Sequence, residues 1–376
     1  MARLARGYTT IRGTMLRACW IPTATASNSL IRAGSTDMTK LMIYGAAGYT
    51  GRMVSSHAEA LGLNFVIAGR PQNEVRLAAL AGELGVQYRL FTVDDLAADR
   101  SALDDITVLL NCAGPFLRTA EPLMRACIAA GVHYLDIAAE LDSYRLAETL
   151  DDDAKAASVM LLPGSGGSVA MLGSLASHAA KRVDTPVMLS IALHVAGGFS
   201  RGSAVSASAN LSPETLHRID GSLIGRSPDE VRDFDFGSGP ATSFPVTLPD
   251  LVTIWRATNI PNIETFLHVT DGAFPDGDLA AMPDGPTREQ RDANRFHAAV
   301  EVTGADGTMV RSVLDTVNGY TFTAIAAAEA ARRVLRGEAR GGFQTPVGLF
   351  GHGFAETIAD TTIIDSEAKE KSDHGH

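Results

Sequence analysis

From Leu41 onward the chain alternates between two hydrophobic rhythms. Short, nearly continuous apolar runs at 41–45, 64–68, 86–93, 107–112, 132–137 and 158–162 read as strands. Between them, segments at 50–61, 73–84, 119–130 and 141–157 repeat their apolar positions with a helical period. Gly62, Gly85 and Gly131 each follow the last periodic residue of such a segment, where a left-handed C-terminal cap calls for glycine. Strands apolar on both faces, interleaved with helices, predict a parallel sheet covered on both sides: a doubly wound α/β domain.

After Pro163 the rhythm changes. "GSGGS" (Gly164 to Ser168) opens a helix running to about Val183, and 187–195 reads as a long strand. Residues 196–296 are rich in Gly, Pro and Ser. The stretch 296–317 alternates apolar and polar residues on either side of Asp306-Gly307, the signature of a hairpin. The second domain is therefore expected to be α+β with a largely antiparallel sheet. Residues 319–338 form a strong helical pattern with basic residues in the last turn and Gly337 near its end. The boundaries read as an extension over 1–37, a nucleotide-type domain over 38–163, an α+β domain over 164–317, a helical region over 318–356 and a polar tail over 357–376.

Composition narrows the function classes. A chain of 376 residues has room for two domains. Its formal charge of -11 argues against nucleic acid as partner, which needs a basic face. No apolar stretch approaches the roughly 18 to 20 residues of a membrane span. Cys19, Cys112 and Cys127 make neither a metal spacing nor a disulfide framework, and the ten histidines show no ligand spacing, so no metal site is expected. The first 37 residues hold Arg3, Arg6, Arg12, Arg17 and Arg32, many Ser and Thr, and no acid before Asp37. That resembles a mitochondrial presequence, with an over-extended start before Met38 as the alternative. The expected location is accordingly cytoplasmic, or mitochondrial if the segment is a presequence.

Candidate chemistry clusters at the ends of the predicted strands. In "LMIYGAAGYTGRMV", Gly45, Gly48 and Gly51 fall between the first strand and the first helix, with Ala46, Tyr49 and Thr50 among them. Glycine lets a pyrophosphate approach the backbone, and the free N–H groups of a first helical turn face the anion. The spacing is one residue longer than the common dinucleotide fingerprint, and a tight strand-to-helix turn would use the same residues. Arg70 stands after the second strand, where an arginine suits the 2′-phosphate of NADP, or is simply a solvated strand end. Asp94, after the third strand, is placed for an adenine or ribose contact or, with Asp95, for a helix cap. Asn111, Ala113, Gly114 and Pro115 end the fourth strand, beside the first, where ligands bind in open α/β sheets. Cys112 reads as a small buried hydrophobe before it reads as a nucleophile.

Taken together, "GAAGYTGR", "AGR", "LLNCAGPF", "AGVHYLDIAAE", "LLPGSGGS", "FSRGSA" and the long "GYTFTAIAAAEAARRVLRGEARGGFQTPVGLFG" resemble the short saccharopine dehydrogenase-like family, which includes trans-acting enoyl reductases. The resemblance runs from about Leu41 to Gly351. It implies an NADP-binding Rossmann-type domain, a second α+β domain for substrate or for pairing as a homodimer, and a C-terminal helix returning to the first domain. One departure stands out: where the family carries Gly-Phe-Asp and a following Pro-Ser/Thr-Asp stretch, this chain has Gly166-Gly167-Ser168-Val169-Ala170, without the acids.

Hydride transfer would belong to the cofactor, leaving the protein to orient substrate and supply a proton. Tyr134, Asp136 and Glu140, at the end of the fifth strand, are the candidates for that role, the first two sharing a strand face. Two have a structural alternative: Asp136 as a turn cap, and Tyr134 half-buried with its hydroxyl satisfied. Arg201 is a candidate for a substrate carboxylate or phosphate, or for a domain contact. The expected activity is reduction of a C=N or C=C bond of a small-molecule or acyl substrate with NADPH. The alternative is a non-catalytic NADP sensor. A short-chain dehydrogenase is excluded, because no tyrosine has a lysine four residues on.

Overall fold

The first apolar run, β1 (Leu41–Tyr44), is wholly buried because it lies at the centre of a parallel sheet. The computed structural model describes residues 40–98, 100–209, 215–270 and 282–366. The two readings of residues 1–37 and the last part of the tail lie outside those residues. After β1 come α1 (Tyr49–Ala60), β2 (Phe65–Gly69), α2 (Glu74–Leu84), β3 (Tyr88–Leu90) and α3 (Val93–Ala98). Then follow β4 (Val108–Asn111), α4 (Phe116–Ala130), β5 (His133–Asp136), α5 (Leu141–Thr149), α6 (Asp151–Ala156) and β6 (Met160–Leu162). All pair in parallel. The continuous apolar runs have a direct cause. Leu41, Ile43, Ile67 and Leu110 face one hydrophobic cluster, while Met42, Val66 and Leu109 face another with Leu123 and Met124 of α4. Each such side chain, fully buried, contributes roughly 1.5–3 kcal/mol.

The second sheet is mixed. After α7 (Gly167–Ala180) come β7 (Pro186–Val195), α8 (Arg201–Ala209), the hairpin β8 (Thr215–Ile219) and β9 (Ser222–Arg226), and then β10 (Arg232–Asp235) and β11 (Pro240–Pro245). They are followed by α9 (Asp250–Thr258), β12 (Asn262–Val269), α10 (Arg288–Asp292), β13 (Phe296–Gly304) and β14 (Met309–Thr316). The hairpin expected around Asp306-Gly307 is β13–β14. Antiparallel pairings prevail, but β12 lies parallel to β7 at the centre.

The C-terminal part serves both sheets. α11 (Gly319–Leu335) packs its buried alanines into the cluster that holds Leu41 and Ile43, against α1. β15 (Gly342–Phe343) adds a seventh strand, giving the order β15-β6-β5-β4-β1-β2-β3, and α12 (Pro346–Phe350) follows. β16 (Thr362–Ser366) pairs with β14, so the segment read as a polar tail begins as an edge strand. Four of its five residues are exposed, Ile364 among them, so no buried face marks it as a strand. No helix among the described residues is long and apolar enough to cross a membrane.

Candidate active site

The strand order reverses between β1 and β4, and the register there sets Tyr44, Ala68, Asn111 and Asp136 in one row at the carboxyl ends. Ligands of open α/β sheets bind outside such a switch point. Gly45 turns the chain with φ +83°, and a Cβ on it would lie 2.7 Å from the Ala113 nitrogen. At Gly51 an added Cβ would sit 2.3 Å from the Gly45 carbonyl oxygen, so α1 can rest on the turn only with glycine there. Gly48 differs: its backbone (φ −75°, ψ 168°) suits any residue, and its Cβ would meet only the Gly45 oxygen, at 3.2 Å. The amide N–H groups of Tyr49, Thr50 and Gly51 find no acceptor among the described residues, and the first turn of α1 holds no acid. This is a donor set that fits an anion.

Neighbouring candidates separate by their partners. The Arg70 guanidinium is exposed and makes no hydrogen bond or ion pair among the described residues, although its charge reaches Tyr44. Tyr44 stacks on Phe91 at 4.9 Å, and burial pushes its hydroxyl up to about 12. The capping interaction at α3 belongs to Asp95, whose carboxylate accepts from the Thr92 amide (2.6 Å) and hydroxyl (2.8 Å). Asp94 is exposed beside it.

Asn111, Tyr134, Asp136 and Glu140 form an interior lattice. Asn111 donates to Thr119 (3.1 Å) and to the Tyr134 hydroxyl (3.2 Å), and its oxygen accepts from the Ala113 amide (2.9 Å). Tyr134 donates to Asp136 at 2.9 Å; the other Asp136 oxygen accepts from the amides of Ala138 (2.9 Å) and Gly164 (2.8 Å). Neither Tyr134 nor Asp136 has exposed surface (0% each). Burial pushes Asp136 up to about 6, against the hydrogen bonds it accepts. Glu140 accepts from the Ala139 amide (2.9 Å) and more distantly from the Phe116 amide (3.4 Å) at the start of α4. These residues shape the loop from Ala113 to Pro115 and stand behind it. Burial, with Asp136 nearby, pushes the Cys112 thiol up, so Cys112 is no activated nucleophile.

A cavity of about 180 Å³ is lined by Ala139, Ser168, Phe199, Ser203, Tyr320 and Thr323 among others. Every lining residue among those described is uncharged. Tyr320 sits in the first turn of α11, capped by Asn318; its hydroxyl accepts from the Ser200 amide (2.7 Å) and donates to Ser203 (2.9 Å). The Tyr320 ring meets Tyr49 edge-on at 5.4 Å, joining cavity and glycine loop. Tyr49 thus offers its amide to the loop but turns its ring toward the second lobe, its hydroxyl donating to the Pro286 carbonyl at 2.6 Å. Arg201 is not open to a substrate carboxylate: it binds Asp284, which also meets Arg52 (3.4 Å) and Arg76 (3.3 Å). Tyr320, Ser203 and Asp284 were not candidates from sequence. The one local signal at Tyr320 is the helix-capping Asn318 two positions before it.

Comparison with known proteins agrees with this geometry. Residues 41–162 match the family model described as the saccharopine dehydrogenase NADP binding domain. A trans-acting enoyl reductase of Mycobacterium ulcerans (strain Agy99) is 30% identical over 109 residues, 27% of this chain and 26% of that protein. A saccharopine dehydrogenase-like oxidoreductase of Rattus norvegicus is 28% identical over 145 residues, 34% of each. The chain therefore aligns with about a quarter to a third of the length of these curated relatives. Beyond that stretch the likeness is one of fold. The apo histidine-tagged saccharopine dehydrogenase (L-Glu forming) of Saccharomyces cerevisiae superposes on 86% of this chain and 99% of its own, with a TM-score of 0.58 at 12% identity.

Proposed function

We propose, with residues 41–162 as a saccharopine dehydrogenase-type NADP-binding domain, that the protein is an NADPH-dependent reductase acting on the C=C bond of a neutral acyl substrate. The observation that carries this reading is the pairing of open donors with an uncharged cavity. Three amide N–H groups of α1 lack acceptors among the described residues, and Tyr49 touches the Tyr320 that lines the cavity. The α1 amides would hold the pyrophosphate, Arg70 the 2′-phosphate, and the small Ala113-Gly114 backbone would let the cofactor lie close. Bound NADPH supplies the hydride.

The protein's part is to orient and protonate. Tyr320 holds a proton at its hydroxyl, fixed by the Ser200 amide and shared with Ser203. A substrate carbonyl or α-carbon in the cavity would take over Ser203's place as acceptor. An imine derived from amino acids carries carboxylates, and no lining residue among the described residues offers a cation to pair with them. That favours C=C over C=N. The test follows NADPH absorbance with parallel panels of enoyl thioesters and imines. Turnover of enoyl thioesters supports the reading, and turnover confined to imines moves the chemistry to C=N. Tight NADPH binding with turnover of neither makes the protein a sensor.

A further inference from the structure

The "GGFQTPVG" segment, prominent in the sequence, plays no part in the site above. It forms one wall of a second cavity, of about 390 Å³, at the far edge of the first sheet. β15 closes that edge, four positions from β1, so this cavity is separate from the glycine loop. Three chain segments bring cations to it: Lys155 from α6, Arg256 from the last turn of α9, and Arg340 from just before β15.

Each cation is fixed from behind. Arg256 lies over the Phe343 ring at 4.5 Å and donates to the Phe343 carbonyl at 2.9 Å. Arg340 donates to the Gln344 side chain (2.8 Å) and the Gly348 carbonyl (3.3 Å). Lys155 pairs with Asp151 at 2.7 Å. Asp151 also meets Arg256 at 3.5 Å and is spent in part on the Phe343 amide, at 2.6 Å. The other acid near Lys155, Asp152, extends into solvent. The Nε and Nη1 groups of Arg256 and Nη1 of Arg340 have no acceptor among the described residues. A protein of net charge -11 thus brings three cations to this cavity, with Asp151 paired among them, Glu148 within charge reach of Arg256, and fork-shaped donors left open.

We propose that this cavity binds a phosphorylated small molecule, with the phosphoryl dianion on Arg340, Arg256 and Lys155. Arginine forks match phosphoryl oxygens in geometry and charge. Gly341 and Gly348 in the wall let a ligand approach the backbone, and the volume falls in the roughly 300–1,000 Å³ range of small-molecule sites.

The experiment is calorimetric titration of inorganic pyrophosphate into the full chain with NADPH at saturation. Saturable binding is expected, weakened about tenfold or more in Arg340→Ala. Lys155→Gln repeats the test if Arg340→Ala does not fold. Arg288→Ala, which removes an exposed charge elsewhere, and Gly48→Val, which alters the glycine loop, should both leave it intact. Absence of saturable binding, equal binding in Arg340→Ala and Arg288→Ala, or loss in Gly48→Val alone would overturn the assignment.

Discussion

Two sets of polar groups meet at the carboxyl ends of the same central strands, and they differ in what their hydrogen bonds reach. Around Asp136, the Tyr134 hydroxyl and the Ala138 and Gly164 amides all end on one buried carboxylate. At the start of α1, the amides of Tyr49, Thr50 and Gly51 end on nothing among the described residues; near them Tyr320, its hydroxyl bonded to Ser200 and Ser203, lines a cavity. By residue type the first set looks more catalytic. By bonding it is a brace, since its capacity is used inside the fold. Donors left open beside a cavity are where a ligand can gain from binding.

The sharpest way to test the contrast is to remove one polar group from each side. Tyr320→Phe should lower the turnover rate by about 10²–10⁴-fold, the usual range for a general acid, with NADPH affinity unchanged. An undiminished rate would place the proton elsewhere. Asp136→Ala should act on stability instead. It leaves three donors without their acceptor, at a cost of roughly 3 kcal/mol or more in urea unfolding. Loss of rate at full stability would reverse the roles assigned here.

The same aspartate gives a pH signature. Burial raises it to about 6 in the folded protein, above the roughly 3.9 of an unfolded chain. Its contribution to stability is therefore complete below about 3.9 and lost as pH rises through about 6. Asp136→Asn should flatten the melting-temperature profile between those values; an unchanged profile would show that another group titrates there. Smaller again is the effect at Arg70. Arg70→Ala should cost about 10- to 150-fold in NADPH affinity and almost nothing in NADH affinity, measured by fluorescence titration. Equal weakening of both would remove Arg70 from the 2′-phosphate.

The first sheet could be read from the chain because its central strands are buried on both faces and its helices stop at glycine. Gly85 and Gly131 cap α2 and α4 in the left-handed conformation. Elsewhere local pattern carries less. β15 is two residues long and joins a strand more than 180 positions earlier, so no periodicity announces it. β16 is a mostly exposed edge that mixes Ile363 and Ile364 with polar neighbours, so it shows no buried apolar face. The parallel β7–β12 pair depends on a connection through a Gly- and Pro-rich region that shows no regular rhythm. In the site itself the glycines could be located from sequence, since Gly45 and Gly51 answer to their own neighbourhood. The saturation of Tyr134 and Asp136 could not, because Gly164 lies 28 residues away in the chain. Nor could Tyr320, which reaches Tyr49 only through the packing of α11 against α1.

The central claim is that the open N-terminus of α1 holds the cofactor's phosphates. Gly48 is the position to change, because Gly45 and Gly51 are needed by the turn itself. Its backbone angles accept valine, while the added side chain crowds the space over the donors. Calorimetric titration of NADPH into Gly48→Val, with a melting curve on the same sample, measures binding and fold together. The account predicts affinity reduced well over tenfold at a melting temperature close to that of the unaltered protein. Unaltered NADPH affinity in a folded Gly48→Val would contradict it, and the glycines would then make only a turn.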